Sequence, residues 1–146
     1  MNYKALLITC LTAGVAAASE KPVKFTELPI AVRQSVERET KGASLRGLSR
    51  ETENGKVYYE AETIVNGRHR DILFNESGNV VETEEQVSLD SIPAGARTAI
   101  EKYAAGGKVL NVEVVTRDTV TSYEAQLQKA GKKSEVKVSP EGTILR

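Results

Sequence analysis

The chain has 146 residues, with 20 Lys and Arg against 20 Asp and Glu, one His and one Cys. Charges so evenly balanced leave no electrostatic footprint for nucleic acid, which is held by clustered Lys and Arg that displace counterions. A single imidazole and a single thiol exclude a multi-ligand His/Cys metal site, and the length suits one domain or two small ones.

The chain opens MNYKALLITCLTAGVAAASE. Lys4, an apolar run from Ala5 to Val15 and the small residues Ala16, Ala17 and Ala18 predict a secretory signal peptide over residues 1–18, cleaved next to Ser19. An N-terminal membrane anchor is the alternative, but the run is shorter than the about 20 residues a spanning helix needs. Cys10 follows only the short apolar run Ala5 to Ile8, with Thr9 a poor small residue before it, so a lipoprotein site is set aside. The expected location is periplasmic or secreted, with no membrane span after cleavage. Loss of Lys4 leaves 19 basic and 20 acidic residues and no cysteine, so the domain must hold through its core rather than through disulfides.

Phe25, Leu28, Val32 and Val36 step by three and four and predict an amphipathic helix running to about Lys41. Thr26 is its expected N-cap, Pro29 falls in the first turn, and Gly42 suits the left-handed residue beyond the end. Asn54-Gly55 and Asn66-Gly67 predict tight hairpin turns, since both central residues need positive φ. Between them Lys56 to Val65 alternates, turning Val57, Tyr59, Ala61 and Thr63 toward the helix and Tyr58, Glu60, Glu62 and Ile64 away from it. Asp71 and Leu73 of the next strand share that open side, and Asn75-Glu76-Ser77-Gly78 predicts a further turn.

From residue 87 the pattern starts again. Shifting the chain by 64 positions pairs Leu28-Pro29 with Ile92-Pro93, Tyr59-Glu60-Ala61 with Tyr123-Glu124-Ala125, and Gly42, Gly67 and Gly78 with Gly106, Gly131 and Gly142. So many agreements at one ungapped offset predict a duplication. The second helix is expected on Leu89, Ile92, Ala96, Ile100 and Tyr103, capped by Asp90 and running to about Ala105; Glu124, Gln126 and Gln128 then take the open side. The expected fold is α+β: two tandem repeats, residues 24–86 and 87–146, each one helix packed on a four-stranded antiparallel sheet. A unit of this size is marginal alone. The repeats are therefore expected to share a core or to join sheets edge to edge, with Val87, Ile144 and Leu145 as candidates for the contact.

No catalytic set emerges. His69 has no second imidazole or cysteine beside it in the sequence and is expected to be an exposed strand residue. Glu60 and Glu124 together suggest a glycosidase pair, which needs carboxyls ~5–10 Å apart. Duplication already accounts for both, and they are expected to be cross-strand partners of Arg or Lys. The acidic stretch from Glu76 to Glu85 lacks the ordered ligands of a calcium loop and is expected to be a solvated edge strand. Ala105-Gly106-Gly107 ends a helix rather than beginning one, which is wrong for a phosphate cradle. No catalytic residue, cofactor or metal ligand is assigned.

The recurring unit Leu28-Pro-x-x-Val32…Gly55-x-x-x-Tyr59-Glu60…Ile72-x-Phe74…Gly78-x-Val80-Val81 resembles the PepSY-like domains of bacterial exported proteins. Those are related in fold to the β-lactamase inhibitor protein, a tandem of helix-plus-four-strand units. The resemblance implies a non-enzymatic module that binds a protein partner, with inhibition of a hydrolase or peptidase as one form of that role. It transfers no active site, and the chain departs from the inhibitor in having no cysteine after Cys10. The partner-binding candidates are the open-side residues Tyr58, Glu60, Glu62, Ile64, Asp71, Leu73, Glu124, Gln126 and Gln128. Tyr58 leads them, because aromatics dominate interfaces and its counterpart is only Ser122. The alternative is a small-ligand or metal-binding periplasmic protein that uses the space between helix and sheet or the acidic stretch.

Overall fold

The computed structural model describes residues 20–145, and the leader expected over residues 1–18 lies outside them. A short strand β1 (Lys21–Pro22) and a turn of 3-10 helix, Phe25–Glu27, precede helix α1 (Ile30–Glu39). Strands β2 (Ser44–Glu53), β3 (Lys56–Val65), β4 (Arg68–Asn75) and β5 (Val80–Gln86) follow. After a second 3-10 turn, Leu89–Ser91, come helix α2 (Ala94–Ala104) and strands β6 (Lys108–Arg117), β7 (Val120–Lys129), β8 (Lys132–Val138) and β9 (Ile144–Leu145).

Both helices start later than their apolar spacing suggests. Thr26 and Asp90 lie in the 3-10 turns and cap nothing; Pro29 and Pro93 are themselves the N-cap residues, with ψ of 147° and 142°. The cause is the residue before each proline. Sterics push it out of the helical region, and Leu28 and Ile92 are extended, with ψ of 143° and 161°. The turns behave as their sequences demand: Asn54, Gly55, Asn66 and Gly67 all have positive φ. At Gly78 (φ 79°) an added Cβ would lie 2.5 Å from the Ala31 carbonyl oxygen, and the Gly78 carbonyl accepts a bond from Ser35 Oγ at 2.6 Å. Only glycine lets this turn close on α1.

All nine strands form one antiparallel sheet in chain order. β5 pairs with β6 from Glu82↔Arg117 to Gln86↔Glu113. This is the edge-to-edge join, and it makes one continuous sheet in place of two four-stranded ones. The acidic stretch is therefore a central strand, not a solvated edge. Ile144 and Leu145 lie at the far margin, exposed, and take no part in the join, whereas Val87 packs into the second core.

Each helix has its own core. Leu28, Val32 and Val36 pack on Tyr59, Ala61, Ile72 and Phe74, while Ile92, Ala96, Ile100 and Ala104 pack on Val112, Ala125, Leu127, Val136 and Val138. The cross-sheet row Ile72, Thr83, Thr116, Thr121 puts both cores on one face, because opposed residues share a side and alternate residues repeat it. The other face carries no helix.

Candidate functional site

The helix-free face is concave, and Arg117 shows why. Its guanidinium bonds Glu82 on the neighbouring strand at 2.9 Å and also Glu53, at the end of β2, at 3.3 Å. β2 and β6 are four strands apart, roughly 19 Å in a flat sheet, which an arginine cannot span. The sheet must curl around this face. Bulges at Leu45/Gly47, Leu73/Phe74 and Val109/Asn111 supply local bend and twist.

All the residues expected on the open side are on it. Tyr58, Glu60, Glu62 and Ile64 face Asn75, Leu73, Asp71 and His69 across β3 and β4; Glu124, Gln126 and Gln128 face Lys137, Glu135 and Lys133 across β7 and β8. The curl makes this surface drier than an ordinary solvated sheet face. Asp71, Leu73 and Glu124 are buried and the other six are half-buried. His69 is exposed on β4, as expected.

The face is crowded with carboxylates. Glu60 lies between Ser49, whose hydroxyl donates to it at 3.3 Å, and Leu73. Burial pushes its carboxyl up to about 8, and the nearby Asp71 charge adds to the shift. Asp71 is raised to about 7 by burial and by Glu113 and Glu62, against a hydrogen bond from the Thr63 backbone that lowers it. Burial likewise raises Glu51, Glu82 and Glu113, and it raises Glu135, which is also hydrogen-bonded to Glu124. Desolvation leads in every case because it disfavours the charged form. Of the two glutamates expected to meet a cation across the strands, Glu124 does so, through Lys137 at 3.5 Å; Glu60 faces Leu73. One oxygen each of Glu20, Glu60 and Glu62 come within 4.8 Å of one another, a grouping suited to a cation. At the hairpin end a cleft of about 460 Å³ is lined by Lys56, Tyr58, Asn75, Val81, Arg117 and Asp118 among others.

Residues 57–146 match the family described as "Putative beta-lactamase-inhibitor-like, PepSY-like", well over half of the chain. The chain belongs to the PepSY-like family. Solved structures share the fold. One from Bacteroides eggerthii, described as "putative periplasmic proteins", is 22% identical with a TM-score of 0.67, over 82% of this chain and 86% of that one. A DUF2874 family protein from Bacteroides ovatus is 23% identical with a TM-score of 0.63, over 82% and 85%. A BLIP-like protein from Bacteroides fragilis is 22% identical with a TM-score of 0.57, over 80% and 82%. Among curated proteins none matches significantly. No helix among the described residues is long and apolar enough to cross a membrane.

Much of this PepSY-like face escapes a reading of β3 and β7 alone. Glu20 lies just before β1, a two-residue strand with no periodicity to reveal it. Ser49, Glu51 and Glu113 alternate with core positions in β2 and β6, a legible signal once those strands are placed. Glu82 and Glu84 reach the face only because β5 is central.

Proposed function

We propose that this protein is an exported, non-enzymatic binding module, built by duplication of a helix-plus-strands unit, that holds a protein partner on the concave helix-free face of its sheet. The observation that carries the reading is a dry, carboxylate-rich hollow. A hollow of this kind suits a partner that inserts Lys or Arg, whose charge would offset the cost of ionising Glu60 and Asp71 there. Tyr58 and Glu62, half-buried at its rim, act as contact residues with Ile64, Gln126 and Gln128. The leader over residues 1–18 delivers the chain to the periplasm or outside the cell, a placement supported by the description of the Bacteroides eggerthii structure. Inhibition of a hydrolase or peptidase is one form this binding takes, supported by the family description. The test is affinity capture from an envelope extract with wild type, Tyr58→Ala and Glu62→Gln. A specific partner retained by wild type and lost by both variants supports the reading; equal recovery by all three overturns it.

The cleft beside Tyr58 supports a second reading, a small anionic ligand held by Lys56, since Arg117 beside it is already paired with Glu82 and Glu53. Calorimetry with small carboxylates and phosphates separates the two, since a ligand of the native state raises stability by mass action.

A further inference from the structure

On the helix-free face, carboxylates stand at matching positions in both halves of the sheet. Glu20, Glu60 and Asp71 lie 64 positions before Glu84, Glu124 and Glu135. In the second half the chain supplies its own cation, Lys137, directly across from Glu124 and 3.5 Å from its carboxylate. In the first half the residue directly across from Glu60 is Leu73. Among the described residues no Lys or Arg forms an ion pair with Glu20, Glu60, Glu62 or Asp71.

The spacing of these groups is that of ligands. One oxygen each from Glu20, Glu60 and Glu62 come within 4.8 Å of one another. Calcium holds its oxygens at about 2.3–2.6 Å, so two ligands on opposite sides of one ion stand roughly 5 Å apart. Asp71 supplies an independent sign. It is only 7% exposed, lies directly opposite Glu62, and its Oδ1 has no hydrogen-bond partner. It is also close enough to Glu60 and Glu62 for their charges to act on one another. A buried carboxylate oxygen without a donor is costly unless positive charge comes to it.

We propose that Glu20, Glu60 and Glu62, with Asp71 beside them, bind one divalent cation of the calcium class on the helix-free face. The donors are all carboxylate oxygens, the hard ligands calcium takes, and they come from the segment before β1, from β3 and from β4. Magnesium demands near-ideal octahedral geometry and keeps its water, so it fits a set gathered from three segments less well. Binding fastens the segment ahead of the two-residue edge strand β1 to the centre of the first half-sheet. This site shares Glu60, Glu62 and Asp71 with the partner face above, yet it does not rest on that reading, because cation binding needs no protein to dock.

The test is calorimetric titration of the purified protein, stripped of metal, with calcium chloride and then magnesium chloride, with no partner present. One saturable calcium site with a Kd on the order of 10⁻⁴–10⁻³ M is expected, as in extracellular calcium modules, with magnesium at least tenfold weaker. Glu62→Gln should weaken calcium at least tenfold. Leu73→Lys should do the same, because it gives Glu60 the lysine that Glu124 already has, and circular dichroism checks that this variant folds. Glu135→Gln, in the second half, should leave calcium affinity unchanged. The proposal is overturned if wild type shows no saturable calcium heat up to about 10 mM, a range reaching tenfold above the weakest Kd expected. Unaltered affinity in Glu62→Gln, or loss in Glu135→Gln alone, overturns it equally.

Discussion

Across from Glu60 the sheet places Leu73, and across from Glu124 it places Lys137. Under α1 the core is anchored by Phe74; at the corresponding place under α2 stands Val138. Tyr58 at the hollow's rim corresponds to Ser122, which is buried. The first half thus keeps the larger aromatics and leaves Glu60, Glu62 and Asp71 without an ion pair among the described residues, while the second half is smaller in its core and pairs Glu124 with its own Lys137. The same backbone elements tolerate both solutions because the helix side sets the fold, while the opposite side is free to vary in charge.

The largest expected effect tests whether these halves stand or fall together. Phe74 is fully buried, and Phe74→Ala should cost about 3–5 kcal/mol. Val138→Ala, at the matching site, should cost roughly 2 kcal/mol, from about 0.8 kcal/mol per buried CH₂ plus a cavity contribution. Because β5 and β6 are paired through five residues, from Glu82↔Arg117 to Gln86↔Glu113, each variant should unfold in urea in one transition. Two transitions for Phe74→Ala would mean the halves are separate cooperative units joined only at a strand edge.

Arg117 is where the halves touch across the hollow. Its pairs with Glu82 and Glu53 link the sixth strand to the second. Arg117→Ala leaves Glu82, whose side chain is 11% exposed, without its cation, and should cost about 1–3 kcal/mol. Glu53→Gln removes only the longer, more exposed contact and should cost at most about 1 kcal/mol. Equal midpoints for Arg117→Ala and wild type in urea would show that the curl is held by the bulges alone.

The uncompensated charge of the first half should appear as a pH dependence. Glu60 is faced by Ser49 and Leu73 and feels Glu20, Glu51, Asp71 and Glu84, with no cation among the charges acting on it. In the unfolded chain Asp71 and Glu60 release their protons near 3.8 and 4.5; folded, they keep them to about 7 and about 8. The stability this gives is fully present below about pH 4 and is lost as pH rises through 7 and 8. The melting temperature should therefore be a few degrees higher at pH 5 than at pH 8.5. Glu60→Gln, which cannot ionise, should flatten that slope, and a wild-type melting temperature level across the range would contradict the burial of these groups.

How much of this was legible in the sequence varies with the physics involved. The turns at Asn54-Gly55 and Asn66-Gly67 and the helix-facing Tyr59 and Ala61 follow from local rules of φ and of alternation, and they lie where those rules put them. Helix entry failed at Thr26 because the constraint imposed by Pro29 on Leu28 outweighs a capping side chain. The central position of β5 was not legible. Glu82, Glu84 and Glu85 read as an edge because charge usually protects edges, yet here Glu82 and Glu84 line a hollow that exists only once the strands have curled, and only Glu85 is exposed, on the helix side. Burial of Asp71 and Glu124 is likewise a property of that curvature, not of β4 or β7 taken alone.

The smallest contrast lies at the helix entries. Arg33 stands 5.8 Å from the centroid of the Phe25 ring and donates to the Thr26 and Leu28 carbonyls at 3.3 and 3.2 Å. Its counterpart Arg97 reaches only the exposed Asp90, at 3.7 Å. Arg33 therefore fastens the 3-10 turn to α1 by a cation–π contact and two carbonyls, whereas Arg97 has one screened ion pair. Arg33→Ala should cost about 0.5–1 kcal/mol on the cation–π contact, and Arg97→Ala at most about 0.5 kcal/mol. Measured by urea midpoints in 0.5 M salt, the Arg97 effect should vanish while most of the Arg33 effect persists, since salt screens an exposed pair but not a ring contact. The reverse ranking would mean that the second helix entry, not the first, depends on its arginine.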